Sequence, residues 1–342
     1  MIKRYWQSSK AGDIARLSLH EAAMSPLADN YIRVAVKSIG LNFADIFALS
    51  GLYSATPQGP FTPGLEYSGL VIESRSPDWQ VGDRVMGVTR FGGYCSVIDI
   101  ESPYLTKLPD DWSFDQGAAY PVQTLTAYYA LKELGQIKPQ HKVLVQSAAG
   151  GVGIQAMRLV EAFGALPVGS VRSTAKQTFL NEMGFDHVLV RKEDFRSQLN
   201  DANLRFDLVL DGVGGEVQKA SFDALNPMGR LVVFGAAEFT PGKRRPNYLR
   251  AAWRYLQRPK YDVMDMISTN RSVMAFNLIW LYEHVEYLSG LIKDMSSINI
   301  EPPHVGHIFD FESAHEAIET LRQGNTVGKV VLSVQSCTEE SS

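Results

Sequence analysis

Residues 143–165, "VLVQSAAGGVGIQAMRLVEAFGA", hold the residue types with the clearest chemical use in this chain. Gly150, Gly151 and Gly153 follow the apolar run Val143, Leu144, Val145, which reads as a short buried strand. Ile154, Met157, Val160 and Phe163 then recur at helical spacing, and Gly164 closes the pattern. Glycines at such a junction expose backbone N–H groups at a helix N-terminus, where the helix dipole favours an anion. The usual dinucleotide fingerprint is G-x-G-x-x-G. Ala148 stands at its first position here, and Gly150 and Gly153 fill the other two. Ser147, Ala148, Gly150, Gly151, Val152 and Gly153 therefore form a candidate phosphate loop. A tight strand-to-helix turn without a ligand is the alternative, and context must decide between them.

That context is an alternation of strands and helices. Strands are expected at Lys142–Gln146, Pro167–Val171, His187–Val190, Asp207–Leu210 and Arg230–Phe234, with helices such as "TAKQTFLNEMG" and "GEVQKASFDALNPMG" between them. This pattern specifies βαβ units and a parallel, doubly wound α/β sheet. The glycine cluster falls between its first strand and first helix, where a pyrophosphate would sit. Residues 1–120 differ in texture: "YIRVAVKSIG", "SGLVIES", "GDRVMGV" and "GGYCSVIDI" read as short strands broken by Pro, Asp and Gly. After about 300, "FESAHEAIETLRQG" reads as an amphipathic helix and "GKVVLSV" as a last strand. The expected organisation is a β-rich domain over 1–120 completed by 300–335, an α/β nucleotide domain inserted over 121–299, and a flexible tail over 336–342.

The second strand of the α/β unit addresses the choice of nucleotide. An Asp or Glu about 20 residues beyond the fingerprint would bond the ribose 2′-OH of NAD. The sequence there is "PVGSVRSTAKQ", with Ser170, Arg172, Ser173 and Lys176 and no acid. A carboxylate would repel a 2′-phosphate, whereas Arg and Lys bind one through charge-assisted bonds. Arg191, after the next strand, adds a third positive charge. NADPH is the expected cofactor, although all three cations also fit solvated loop positions.

Composition limits the function classes. The 342 residues suggest about two domains, and 45% hydrophobic content is enough for large cores. A net charge of −4 with no long basic run disfavours nucleic-acid binding. No apolar run is long enough to span a membrane. The opening "MIKRYWQSSK" lacks the apolar core of a secretion signal, and Cys95 and Cys337 are too few for a disulfide framework. A cytoplasmic location is expected.

Beyond single motifs, "SIGLNFADIFALSGLY", "PGLEYSGLV", "GDRVMG", "AAYPVQTLTAYYAL", "SAAGGVG" and "GKVVL" occur in the order seen in the medium-chain dehydrogenase/reductase superfamily. The chain resembles its zinc-independent quinone oxidoreductase branch. "LNPMGRLVVFGAA", "NRSVMAFNLIWL" and "TVGKVVL" are similar to the VAT-1 homologues. The resemblance implies a GroES-like β-barrel catalytic domain, a Rossmann domain, a nucleotide in the cleft between them, and a homodimer joined through the Rossmann sheets. Zinc members carry a Cys in "G-x-C-H-x-D" and a His in "G-H-E"; this sequence has Asn42 in "GLNFAD" and Leu65 in "GLE". No metal is therefore expected, and a quinone or activated alkene is the expected hydride acceptor. By resemblance, Asn42 lies beside the nicotinamide ribose and Tyr53 in the acceptor pocket, the two catalytic candidates. Thr126 lies near the nicotinamide amide. Phe234, Gly235 and Ala236 end the last Rossmann strand, and Phe276, Asn277 and Leu278 form a loop over the nicotinamide. Asp45 reads as structural, and His304 and His307 as surface residues. The second function class is a lipid- or membrane-surface-binding protein, through Lys243, Arg244, Arg245, Arg250, Arg254 and Arg258, with peripheral lipid contact and vestigial nucleotide binding.

Overall fold

The structure is a computed structural model and describes residues 1–334. The expected tail and Cys337 lie outside the described residues. The chain opens with a hairpin of β1 (Ile2–Ser8) and β2 (Leu17–Ala23), paired in antiparallel register from Ile2↔Ala23 to Ser8↔Leu17. Strand alternation in "YIRVAVKSIG" produces β3 (Tyr31–Gly40), whose Ile32, Val34, Val36 and Ile39 are buried. Asn42 then starts α1 (Phe43–Leu49). Strands β4 (Glu66–Ser74), β5 (Arg84–Val88), β6 (Val97–Glu101) and β7 (Leu105–Lys107) follow, then the short helices α2 (Phe114–Ala118) and α3 (Pro121–Tyr128). Pro121 at the first turn of α3 costs no hydrogen bond there. The helix continues as a π-helical turn over Tyr129–Leu134.

The α/β unit contains β8 (Lys142–Gln146), α4 (Gly151–Ala162), β9 (Leu166–Val171), α5 (Thr174–Glu182), β10 (Val188–Val190), α6 (Phe195–Asp201), β11 (Phe206–Asp211), α7 (Gly215–Asp223) and β12 (Leu225–Val233). An excursion through α8 (Tyr248–Gln257) and α9 (Val263–Thr269) leads to β13 (Ser272–Ala275). All pairings in this sheet are parallel, in the order β10-β9-β8-β11-β12-β13, so the order reverses beside β8. In open α/β sheets, ligands bind at that reversal. One expectation changes: "NPMG" belongs to β12 rather than to a helix, with Met228 in a left-handed turn at φ 68°.

After α10 (Val285–Ser296) the chain returns through β14 (Val305–Asp310), α11 (Ala314–Gln323) and β15 (Lys329–Ser333). β15 pairs with β3 (Val331↔Gly40), joining the second sheet, β14-β15-β3-β4-β5-β7, with β6 also on β3. The last strand is therefore built into the sheet of β3. One buried core packs around β3, Trp6 and Phe311. A second surrounds β8 and α4, including Leu125, Val145, Ile154 and Met157. Among the described residues no helix is long and apolar enough to cross a membrane.

Candidate functional site

A cleft of about 1460 Å³ lies between the two sheets. The candidate phosphate loop lines it. Ser147 adopts φ 55°, and Gly150 precedes α4. A Cβ on Gly153 would sit 2.4 Å from the Ser147 carbonyl oxygen and 2.6 Å from the Ala148 Cα, so only glycine lets α4 approach β8 this closely. Gly151, Val152 and Gly153 line the cleft at the N-terminus of α4. The loop is also pinned from the side of the second sheet: Gly328 N donates to the Ala149 carbonyl at 2.8 Å, just before β15. Ala148 itself is fully buried and does not line the cleft; its side chain packs beneath the loop, close to Gly169.

Three cations gather beyond the end of β9. Arg172 Nη2 donates to the Gly324 carbonyl at 2.7 Å, and Lys176 Nζ to the same oxygen at 3.1 Å. Arg191 donates to Gln146 Oε1 (2.9 Å) and Ser170 Oγ (3.0 Å). Among the described residues none of the three forms an ion pair. Burial, then the charges of Arg172 and Arg191, push the Lys176 amine down to about 8. Burial and Arg172 push Arg191 down to about 10, and the Asp211 carboxylate opposes that shift without forming an ion pair. Three like charges held together at a cost define a site that an anion would relieve. Ser170 departs from expectation: it is fully buried within β9, holds Arg191, and does not line the cleft.

Asn42 lines the opposite wall, but its amide is saturated. Nδ2 donates to Glu66 Oε1 (2.9 Å) and the Gly40 carbonyl (3.3 Å). Oδ1 accepts from Gln123 Nε2 (2.6 Å) and Lys329 Nζ (3.0 Å). All four hydrogen-bonding positions are used, so Asn42 has none left for an acceptor molecule. Glu66 Oε1 also receives Lys329 Nζ, and Glu66 Oε2 takes Val122 N at 2.8 Å. Burial lowers the Lys329 ammonium from its usual value, and Glu66 opposes that shift. Asp45 caps Asn42 N at 2.8 Å and takes Gly64 N at 3.1 Å, which marks a structural role. Burial raises its carboxyl to about 6.

Tyr53 lines the cleft and donates from Oη to Asn277 Oδ1 at 2.7 Å, linking the segment after α1 to the loop after β13. Burial raises its phenol to about 12, so it is a neutral donor at physiological pH. Phe276 packs edge-on against Tyr129 (centroids 4.8 Å apart), on the π-helical turn. Phe234, Gly235, Ala236, Asn277 and Leu278 all line the cleft. Thr126 lines it too, although its hydroxyl donates back to the Val122 carbonyl at 2.7 Å within α3.

Gln123, Lys329 and Gly324 escaped the sequence reading. Gln123 and Lys329 stand inside the stretches "AAYPVQTLTAYYAL" and "GKVVL", but their side chains carry meaning only where three distant segments meet. Of the six basic residues named above, Arg245 pairs with Asp13 and Arg254 turns onto the Glu238 carbonyl. Arg258 lies beyond the end of α8 against the Tyr255 ring. Arg250, Arg254 and Arg258 therefore do not form one free face.

Residues 28–128 match the alcohol dehydrogenase GroES-like domain, and residues 183–332 the zinc-binding dehydrogenase family. The synaptic vesicle membrane protein VAT-1 homolog of Homo sapiens is 30% identical over 327 residues, covering 94% of this chain and 83% of that one. The chain belongs to the medium-chain dehydrogenase/reductase superfamily. The Danio rerio VAT-1 homolog is 31% identical over 316 residues; 90% of this chain is covered, and it spans only 65% of the zebrafish protein. The Thermus thermophilus quinone oxidoreductase, solved also with NADPH, superposes with a TM-score of 0.78 at 26% identity, over 96% of this chain and 99% of that one. This is an oxidoreductase superfamily, and the chain carries its two-domain α/β and GroES-like fold.

The zinc of the family name does not fit these residues. Among the described residues no three His, Cys, Asp or Glu side chains converge on one point. Asn42 and Leu65 replace donors, and the remaining carboxylate, Glu66, is held by Lys329. A dinucleotide does fit: the open glycine loop at a helix N-terminus and the three unpaired cations lie along one cleft.

Proposed function

We propose that the protein is a zinc-independent, NADPH-dependent reductase of quinones or α,β-unsaturated carbonyls. The observation that carries this reading is the Arg172, Lys176, Arg191 cluster, free of ion pairs among the described residues, in the cleft that contains the glycine loop. Gly150–Gly153 and the α4 N-terminus would hold the pyrophosphate, and the three cations the 2′-phosphate. When bound, NADPH would supply a hydride to the acceptor, and water would supply the accompanying proton. The chain positions the acceptor and excludes water between Phe276, Leu278 and the catalytic wall. Tyr53 Oη donates a hydrogen bond to the oxygen on which negative charge develops, exchanging its bond to Asn277 Oδ1 for one to the acceptor. Its phenol, raised to about 12, keeps that proton available. Asn42 acts indirectly, as the keystone between Glu66, Lys329 and Gln123. We further propose the domain division at 1–120, 121–299 and 300–335, and a homodimer through the Rossmann sheets. NADPH oxidation followed at 340 nm with small quinones and enones tests the activity; no consumption with any acceptor would refute it.

A second reading rests on a separate observation. α8 and α9 expose Leu249, Trp253, Leu256, Val263, Met264 and Ile267, all at 60% or more, beside Lys243, Arg244 and Arg250. Exposed apolar side chains flanked by cations suit an anionic lipid surface. Co-sedimentation with phosphatidylserine vesicles at low and high salt tests it; recovery in the supernatant at low salt would exclude it.

A further inference from the structure

The helix α8 has no buried residue, yet it is held in place. Asn247 Oδ1 caps it by accepting from Arg250 N at 3.0 Å. Just before it, the Arg244 carbonyl accepts from Ile14 N at 3.4 Å, and Arg245 pairs with Asp13. Tyr248 Oη donates to the Ser50 carbonyl at 3.4 Å, three residues before Tyr53. Arg254 binds the Glu238 carbonyl. This excursion from the α/β sheet therefore crosses the cleft mouth and docks on the catalytic domain, without a core beneath it.

Its cleft side is apolar. Tyr248, Ala252, Tyr255 and Leu256 line the cleft from α8, and Phe43 and Phe47 line it from α1. The spacing 248, 252, 255 follows one helical stripe, and the small Ala252 at its centre leaves room against it. The wall is continuous with the pocket that contains Tyr53. Volume points the same way: ligand sites commonly measure about 300–1,000 Å³. The cleft of about 1460 Å³ exceeds that range.

We propose that α8 and α1 form an apolar channel that takes an extended hydrocarbon chain carried by the hydride acceptor. This rests on the reductase reading, and it narrows the acceptor to quinones or enones bearing a long aliphatic substituent. The reactive carbonyl lies at Tyr53, and the chain leaves past Ala252 towards Leu256. Sealing the open side of α8 by such a chain accounts for a pinned helix without a buried side chain.

The test uses trans-2-alkenals of four to ten carbons, which share one reactive group. kcat/KM should rise by about two- to fourfold per methylene, the upper figure being full burial of each group, and level off once the chain passes Leu256. Isothermal titration of nucleotide-free protein with 2-alkanones of the same lengths should show Kd falling in parallel. Ala252→Trp, at a position exposed enough to tolerate the larger side chain, should cut the ten-carbon to four-carbon ratio at least tenfold in both measurements. A flat Kd series, with short enals still reduced, overturns the channel and leaves the reductase reading standing. A steep Kd series that Ala252→Trp flattens, with neither an enal nor a quinone of matching chain length turned over, supports the channel and removes the reductase reading. A steep series that Ala252→Trp leaves unchanged places the chain elsewhere and overturns the proposal.

Discussion

Replacing Lys176 by alanine should weaken NADPH binding and leave NADH binding nearly unchanged. The magnitude follows from the cluster. Hydrogen bonds to charged groups contribute about 1.5–3 kcal/mol. Lys176 Nζ already binds the Gly324 carbonyl, so a 2′-phosphate replaces one acceptor by a stronger one rather than creating a bond from nothing. The half-buried amine therefore contributes about 2 kcal/mol, or roughly 30-fold in Kd. Arg172 is exposed, more screened, and should contribute about 1 kcal/mol, or roughly fivefold. Proton linkage supplies a second signature. The Lys176 amine is pushed down to about 8, so its charge is present below that pH and is lost as pH rises through it. An anion favours the ammonium form, so NADPH binding takes up protons near pH 8 and Kd for NADPH climbs above it. NADH should show no such slope, and Lys176→Ala should remove it for NADPH. Isothermal titration at pH 7 and pH 9, in two buffers of different ionisation enthalpy, measures affinity and proton uptake together. Equal wild-type affinity for NADH and NADPH, or equal weakening of both by Lys176→Ala, would refute the assignment of the 2′-phosphate site.

Other outcomes follow from the buried wall and the pocket. Tyr53→Phe should lower kcat by roughly ten- to a thousand-fold with Kd for NADPH nearly constant, as removal of an oxyanion donor does; an unchanged kcat would make Tyr53 a packing residue. Lys329→Met leaves the Glu66 carboxylate buried without its cation and should cost about 3–5 kcal/mol in urea unfolding. Pairing it with Glu66→Gln should recover more than half, and a single-variant loss under about 1 kcal/mol would contradict the ion pair's place in the wall. Purified protein should contain no stoichiometric zinc and keep its activity in chelator; one zinc per chain by elemental analysis would overturn the reading of Asn42 and Leu65.

Local pattern carried a large part of this protein. β8 was legible as Lys142–Gln146 and β3 as Tyr31–Gly40 because period-two and continuous apolar runs report burial directly. The glycine loop was legible because close helix-to-strand approach at Gly153 admits no Cβ, which restricts the residue type itself. The absence of an acid after β9 was visible for the same reason, since charge sign is a property of sequence. Tertiary structure decided what depends on segments meeting. Ser170 stands in the same stretch as Arg172, but it lies inside β9, a strand covered on both faces of the parallel sheet, where it holds Arg191. Asn42 keeps its place in the wall but loses its freedom, because Glu66, Gln123 and Lys329 arrive from positions 24, 81 and 287 residues away. The basic stretch of 242–260 lost its even spacing of free charge once Arg254 found a carbonyl and Arg258 an aromatic ring. A side chain's identity fixes which bonds it can make; only the fold fixes which of them are already taken.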